Sequence, residues 1–182
     1  MSKVSALSLT SQKRQGRKIT MVTAYDYPSA VHLTRAKIDI ILVGDSCSMV
    51  ELGHETTQPI TIDEMLHHSS AVKRGVDYAH ACASSRKNSS TTSTSADAPD
   101  QKPHVPLLIG DMPFGSYEFD DTDIALRNAY RFVKEAGMDA VKLEVSSRTL
   151  AFIAVHFLRL LLCSNGLFIY LFQPSFPSSQ TT

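Results

Sequence analysis

The chain has 182 residues, 43% of them hydrophobic and 20% charged, which suits one globular domain with a buried core. Eighteen Lys and Arg balance eighteen Asp and Glu, and a net charge of zero argues against a sequence-independent nucleic-acid binder, which needs a basic excess. Cys47, Cys82 and Cys163 are odd in number and far apart, so neither a disulfide framework nor a zinc cluster is indicated and a reducing compartment is implied.

In chain order, Met1–Lys18 is polar and basic with no acid and no apolar run, which excludes a secretory signal. Two readings stand: a solvated leader over residues 1–18, and a weak mitochondrial presequence. Ile19–Ala24 is a short apolar and β-branched strand, followed by a helix from Pro28 to about Ala36. Ile38–Val43 is nearly all apolar, as in a strand covered on both faces. Thr61 and Glu64 have the spacing of a capping box, and Ile62, Met65, Leu66 and Val72 continue at helical spacing, with Gly75 as the expected stop.

Nine of the twelve residues from Ser84 to Ser95 are Ser or Thr and none is apolar, so 76–104 reads as an exposed insertion that cannot bury enough surface to order itself. Val105–Ile109 is a third buried strand. A helix capped by Asp121 or Thr122 follows, with Leu126, Ala129, Tyr130 and Val133 at i, i+3, i+4 and i+7 and Gly137 just beyond its end. Ala140–Val145 is the fourth strand. Alternating strands and helices imply right-handed crossovers and a parallel sheet, so the fold class is α/β.

Two strands end alike, in Gly44-Asp45-Ser46 and in Gly110-Asp111. Parallel α/β folds bind ligands beyond the carboxyl ends of their strands, so both aspartates converge on one mouth, where paired carboxylates suit Mg²⁺. The alternative is that each aspartate caps a turn. In the fourth strand Val141, Leu143 and Val145 alternate with Lys142 and Glu144, so period-two geometry sends the apolar set toward helices and the charged pair inward. Buried charges need partners, and a simple structural ion pair is the alternative to a functional one.

Val22-Thr-Ala-Tyr-Asp-Tyr27, Leu42-Val-Gly-Asp-Ser46, Gly53-His54 with Thr57-Gln-Pro-Ile-Thr61, Gly110-Asp-Met-Pro-Phe114 and Val141-Lys-Leu-Glu144 follow one another in this order. Together these blocks resemble the ketopantoate hydroxymethyltransferase family from about Ile19 to Glu144. The resemblance implies a (βα)8 TIM barrel related to the phosphoenolpyruvate/pyruvate barrels, and a one-carbon transfer in pantothenate (vitamin B5) and coenzyme A biosynthesis. A hydroxymethyl group passes from 5,10-methylenetetrahydrofolate, the co-substrate, to 3-methyl-2-oxobutanoate, giving 2-dehydropantoate. By the same likeness Asp45 and Asp111 match direct Mg²⁺ ligands, and Glu144 matches an acid reaching the metal shell through water. Ser46 and Lys142 match groups that bind the keto acid. His54 either shapes the pocket or is an ordinary loop histidine. Full-length members assemble into rings, often decamers, and the compartment implied is mitochondrial or cytoplasmic.

The resemblance places residues 19–144 in an incomplete barrel of about four βα units, and it implies four more units, including a glutamate base, after Glu144. The 38 residues of 145–182 are too few for these, at roughly 30 residues per strand-helix-strand unit. On this reading 145–182 is an apolar, then Pro- and Ser-rich tail foreign to the family, and the chain alone has little or no activity. Leu150–Phe172 leaves three readings: a membrane span, opposed by Arg159 at its centre; a core helix; and translated non-coding sequence or an alternative terminus. Val145-Ser146, which the splice-donor hexamers GTAAGT and GTGAGT encode in frame, favours the last. The competing functions are another oxo-acid lyase or mutase of the same superfamily, and a non-catalytic regulatory or membrane-tethered variant.

Overall fold

The computed structural model of the chain describes residues 2–88, 104–117, 122–145 and 167–172. A short strand, β1 (Ser2–Lys3), and a helix, α1 (Ala6–Arg14), come first. Then follow β2 (Met21–Thr23), α2 (Tyr27–Arg35), β3 (Ile40–Val43), the single turn α3 (Cys47–Val50) and the long helix α4 (Ile62–Asn88). The remaining elements are β4 (His104–Val105), β5 (Leu107–Asp111), α5 (Thr122–Lys134), β6 (Ala140–Val145) and β7 (Leu167–Phe172).

Local chemistry explains the starts. Asp26 caps α2, its Oδ1 accepting the Ser29 N–H at 2.7 Å, and Pro28 follows in the first turn, where a missing N–H costs nothing. The expected capping box of α4 forms: the Glu64 carboxylate accepts the Thr61 N–H at 2.7 Å, and the Thr61 hydroxyl accepts the Glu64 N–H at 3.3 Å.

β2, β3, β5, β6 and β7 pair in parallel, and their order in space is their order in the chain. A doubly wound sheet would reverse direction at a switch point; a steady advance is the winding of a (βα) barrel. Alternation along the strands sorts the residues into two faces. Ile41, Val43, Leu108, Val141 and Leu143 pack with residues of α2, α4 and α5, while Ile40, Leu107, Ile109 and Ala140 form a separate apolar cluster on the opposite face.

Several elements differ from the sequence expectations. Residues 1–18 are not a free leader: β1 pairs with β4, Val4 is 6% exposed, and Val4 and Leu9 join the inner cluster with Leu107 and Ile109. The ion pair of Lys3 with Asp139 fixes this segment near the amino ends of the strands. Helix α4 does not stop at Gly75 but runs to Asn88, so the first part of the expected insertion is helical. The reason is packing: a Cβ at Gly75 would collide with the Tyr27 carbonyl oxygen and lie 2.9 Å from Ala30 Cβ, so the glycine is where α2 and α4 come closest. In α5 the buried residues are Ala125, Ala129 and Phe132, with Leu126 packed against the same core and Tyr130 exposed, because the Phe132 ring lies on the bare backbone of Gly110. A fifth parallel strand, β7, lies in the segment that showed no βα rhythm.

Gly137 adopts φ 67°, and the chain reversal lets the Met138 N–H donate to the Phe132 carbonyl at 3.0 Å, as expected for a residue beyond the helix end. The rest of the Ser/Thr run, the Asp121 cap, Cys163 and the tail apart from Val145 and β7 lie outside the described residues. Among the described residues no helix is long and apolar enough to cross a membrane.

Gly75→Ala tests the helix contact. Alanine is favoured over glycine inside a helix by ~1 kcal/mol, yet here it meets rigid backbone, and overpacking typically costs 1–3 kcal/mol. A lower urea midpoint is expected; a raised one would show that α2 and α4 separate freely.

Asp39, just before β3, accepts both the N–H and the hydroxyl of Thr20 at 2.9 Å, tying β2 to β3. Partial burial raises its pKa, but these bonds outweigh burial and hold it below its ordinary 3.8. A depressed carboxylate stabilises the fold above 3.8, and this contribution disappears as pH falls through the lower folded value. Asp39→Asn should therefore be less stable than wild type in urea at pH 7, with the gap closing near pH 3.

Candidate metal centre

Strand polarity and register build the site. Asp111, the last residue of β5, is the register partner of Lys142 in β6, so the two side chains leave the same face of the sheet. They are 1% and 8% exposed. Lys142 Nζ lies 2.5 Å from Asp111 Oδ2 and 2.8 Å from Glu144 Oε1, so both carboxylates share one ammonium. Glu144 is two residues on, on the same face by period two, at the solvent-facing side of the group.

Asp45 reaches the group differently. Register pairs Val43 with Gly110, so Asp45 stands one step farther out than Asp111, past the end of β3 where the chain turns into α3. Its backbone N–H donates to Asp111 Oδ2 at 3.2 Å. The two Gly-Asp pairs thus meet at one mouth without being strictly equivalent. Their glycines also serve different ends: Gly110 makes room for Phe132, while a Cβ at Gly44 would lie 2.9 Å from Ser46 Oγ. The capping alternative does not describe Asp111, whose Oδ2 is taken up by Lys142 and the Asp45 N–H.

One carboxylate oxygen from each of Asp45, Asp111 and Glu144 lies within 4.8 Å of the other two. Burial pushes the Asp111 carboxyl up to about 7 against the pull of Lys142, with Asp45 adding to the rise. Burial works against the Lys142 ammonium, but Asp111 and Glu144 outweigh it and hold its pKa above the ordinary lysine value. Asp111 Oδ1 is buried without a hydrogen-bond partner. Three carboxylates and one ammonium leave a formal charge of −2 when ionised. An all-oxygen donor set, a surplus of two negative charges and an orphaned buried carboxylate oxygen fit a hard divalent cation such as Mg²⁺.

Ser46 stands at the edge of this group, its Oγ 2.9 Å from the Tyr25 hydroxyl. His68 Nδ1 lies 2.7 Å from the Tyr25 carbonyl oxygen, so its N–H holds the backbone that carries the phenol. His54 is not brought into the carboxylate group: it is exposed on the loop after α3, its backbone N–H bonded to Ser48. Sequence reasoning gave no role to Tyr25, although it sits inside the first motif block, and none to Tyr117, whose hydroxyl bonds to the Glu144 backbone. The turn signal Pro113-Phe-Gly-Ser116 was the available clue that the chain doubles back there.

Parallel strands wound in chain order, with acids gathered at their carboxyl ends, define a TIM-barrel enzyme architecture. Solved structures with this fold include an oxaloacetate acetylhydrolase, at TM-score 0.57 and 14% identity over 98% of this chain and 56% of that one. Another is 2,3-dimethylmalate lyase, a PEP mutase/isocitrate lyase superfamily member, at TM-score 0.55 and 14% identity over 94% of this chain and 53% of that one.

Within that architecture the chain belongs to the ketopantoate hydroxymethyltransferase family, whose profile matches residues 3–98 and 96–159. The second stretch continues past Glu144, where the motif blocks stop. The chain is 46% identical over 145 residues to 3-methyl-2-oxobutanoate hydroxymethyltransferase 1, mitochondrial, of Arabidopsis thaliana, covering 80% of this chain and 34% of that protein. It is 43% identical over 144 residues to 3-methyl-2-oxobutanoate hydroxymethyltransferase of Carboxydothermus hydrogenoformans, covering 79% and 42% respectively. The chain therefore spans about a third to two fifths of the length of these relatives.

A titration with Mn²⁺ followed by electron paramagnetic resonance tests the donor set. One saturable site is expected in the 182-residue chain and none in the Asp45→Asn/Asp111→Asn variant. Equal curves for the two proteins would remove the metal reading.

Proposed function

We propose that this chain carries the metal- and keto-acid-binding part of a 3-methyl-2-oxobutanoate hydroxymethyltransferase. The observation that supports this reading best is the convergence of Asp45, Asp111, Glu144 and Lys142 at one mouth of a barrel sheet, in a chain of that family. In the reaction, 3-methyl-2-oxobutanoate, 5,10-methylenetetrahydrofolate and water give 2-dehydropantoate and tetrahydrofolate. A new carbon–carbon bond forms at C3 as its hydrogen leaves as a proton.

Asp45 and Asp111 would hold Mg²⁺, with Glu144 completing the acidic group. The metal, when bound, draws electron density from the 2-oxo group and makes the C3 hydrogen more acidic. Lys142 supplies a fixed positive charge and Ser46 a hydroxyl for the substrate carboxylate. The sheet interior beneath them is apolar, through Ile109 and Ala140, and keeps water from one side of the group. The three carboxylates are committed to the cation and to Lys142, and the family resemblance puts the base for the C3 proton beyond Glu144. The names of the plant relatives carry a mitochondrial location.

Calorimetry with 3-methyl-2-oxobutanoate is the direct test. Binding should require Mg²⁺, and Lys142→Met should weaken it by roughly tenfold or more, as for loss of a charge-assisted bond worth ~1.5–3 kcal/mol. Binding indifferent to both Mg²⁺ and Lys142 would refute the proposal.

A further inference from the structure

Main-chain pairing between β5 and β6 ends where the Met112 N–H donates to the Lys142 carbonyl at 3.1 Å. Beyond that point β5 leaves the sheet. Pro113 has no N–H to give, and its carbonyl closes a turn by accepting the Ser116 N–H at 3.1 Å and the Ser116 hydroxyl at 2.6 Å. Gly115, the third residue of this turn, has φ 82°, the left-handed value that such a turn requires there. Asn128 of α5 donates to the Ser116 carbonyl at 2.8 Å and fixes the turn to the helix.

The chain returns with Tyr117, which is 3% exposed. Its hydroxyl accepts the Glu144 N–H at 3.0 Å and donates to the Glu144 carbonyl at 2.9 Å. In a parallel strand the N–H and C=O of one residue point to the same side, so a single phenol oxygen serves both groups. They are the groups that a continuing β5 would have paired, two residues beyond Lys142.

We propose that Tyr117 is a positioning residue for the metal centre. Its hydroxyl replaces the backbone partner that β5 no longer provides, and so holds Glu144 beside Asp45 and Asp111. The proposal rests on the reading that these three carboxylates take a divalent cation. Partners that orient ligating groups typically govern 10–100-fold in metal affinity, and a backbone clamp on a ligand-bearing residue belongs with them.

The test is a double-mutant cycle in the 182-residue chain, with Mn²⁺ as the probe and electron paramagnetic resonance as the readout. Tyr117→Phe keeps the buried ring and removes both bonds; it should weaken Mn²⁺ binding by roughly tenfold. Glu144→Gln should weaken it as well, and adding Tyr117→Phe to Glu144→Gln should cause no further loss. A merely structural tyrosine would lower the melting temperature while leaving Mn²⁺ affinity unchanged, or its loss would multiply with that of Glu144→Gln; either result overturns the proposal. Asn128→Ala, which loosens the turn and leaves the phenol in place, should shift affinity in the same direction and carries the test if Tyr117→Phe does not fold. A wild-type chain that takes up no Mn²⁺ would sink the metal reading and this proposal together. That outcome is distinguishable, because the wild-type curve itself would be flat.

Discussion

An aspartate 1% exposed, the last residue of β5, and a lysine 8% exposed, inside the adjacent β6, face each other 2.5 Å apart. Moving either charge out of water alone would cost several kcal/mol, so the pair holds only while the geometry between its members is kept. Most of the structure serves that geometry. The β5–β6 register makes the two residues neighbours, and the opposite face of the same strands is clamped by Phe132 over Gly110 and by Val141 and Leu143 against the helices. Even so, one ammonium does not balance the carboxylates around it: burial still drives the Asp111 carboxyl up to about 7 and leaves its second oxygen unbonded.

The inner face of the sheet is graded along its length. Ile40, Leu107, Ile109 and Ala140 fill the amino end and the middle, where Val4 and Leu9 from the chain start pack against them. Charge begins only at Asp111 and Lys142. A cation held at the mouth would have apolar side chains on its inner side and open onto solvent on its outer side, a setting in which charge interactions are stronger than in bulk solvent.

Much of this was legible in the sequence, and the reasons are physical. Strands covered on both faces must be apolar throughout, so Ile38–Val43 and Val105–Ile109 announced themselves, and Ala140–Val145 coincides with β6. Period two alone put Lys142 and Glu144 together and away from Val141 and Leu143. What escaped was whatever depends on tertiary contact. Gly75 looks like a helix stop because propensity counts against glycine, and only the approach of α2 explains why α4 continues. Met1–Arg17 looks like a leader because its apolar residues are few; Val4 and Leu9 suffice once Leu107 and Ile109 lie beneath them. In α5 Leu126 and Ala129 do pack on the core, but Phe132 rather than Tyr130 completes the stripe, because the ring that fits over Gly110 cannot be read from helical periodicity.

The close fit of α2 and α4 at Gly75 also bears on the order in which the protein assembles. α2, β3, α3 and α4 follow one another in the chain, and the approach of Gly75 to Tyr27 closes a loop of about 48 residues. The α1 segment is the opposite case: Lys3 meets Asp139 across 136 residues, and β1 pairs with β4 across about a hundred. Contacts of such separation reward the chain only after the intervening elements are in place. The helical pair around Gly75 closes the shorter loop, and the β1–α1 segment gains its contacts only once β4, β5 and Asp139 are in place.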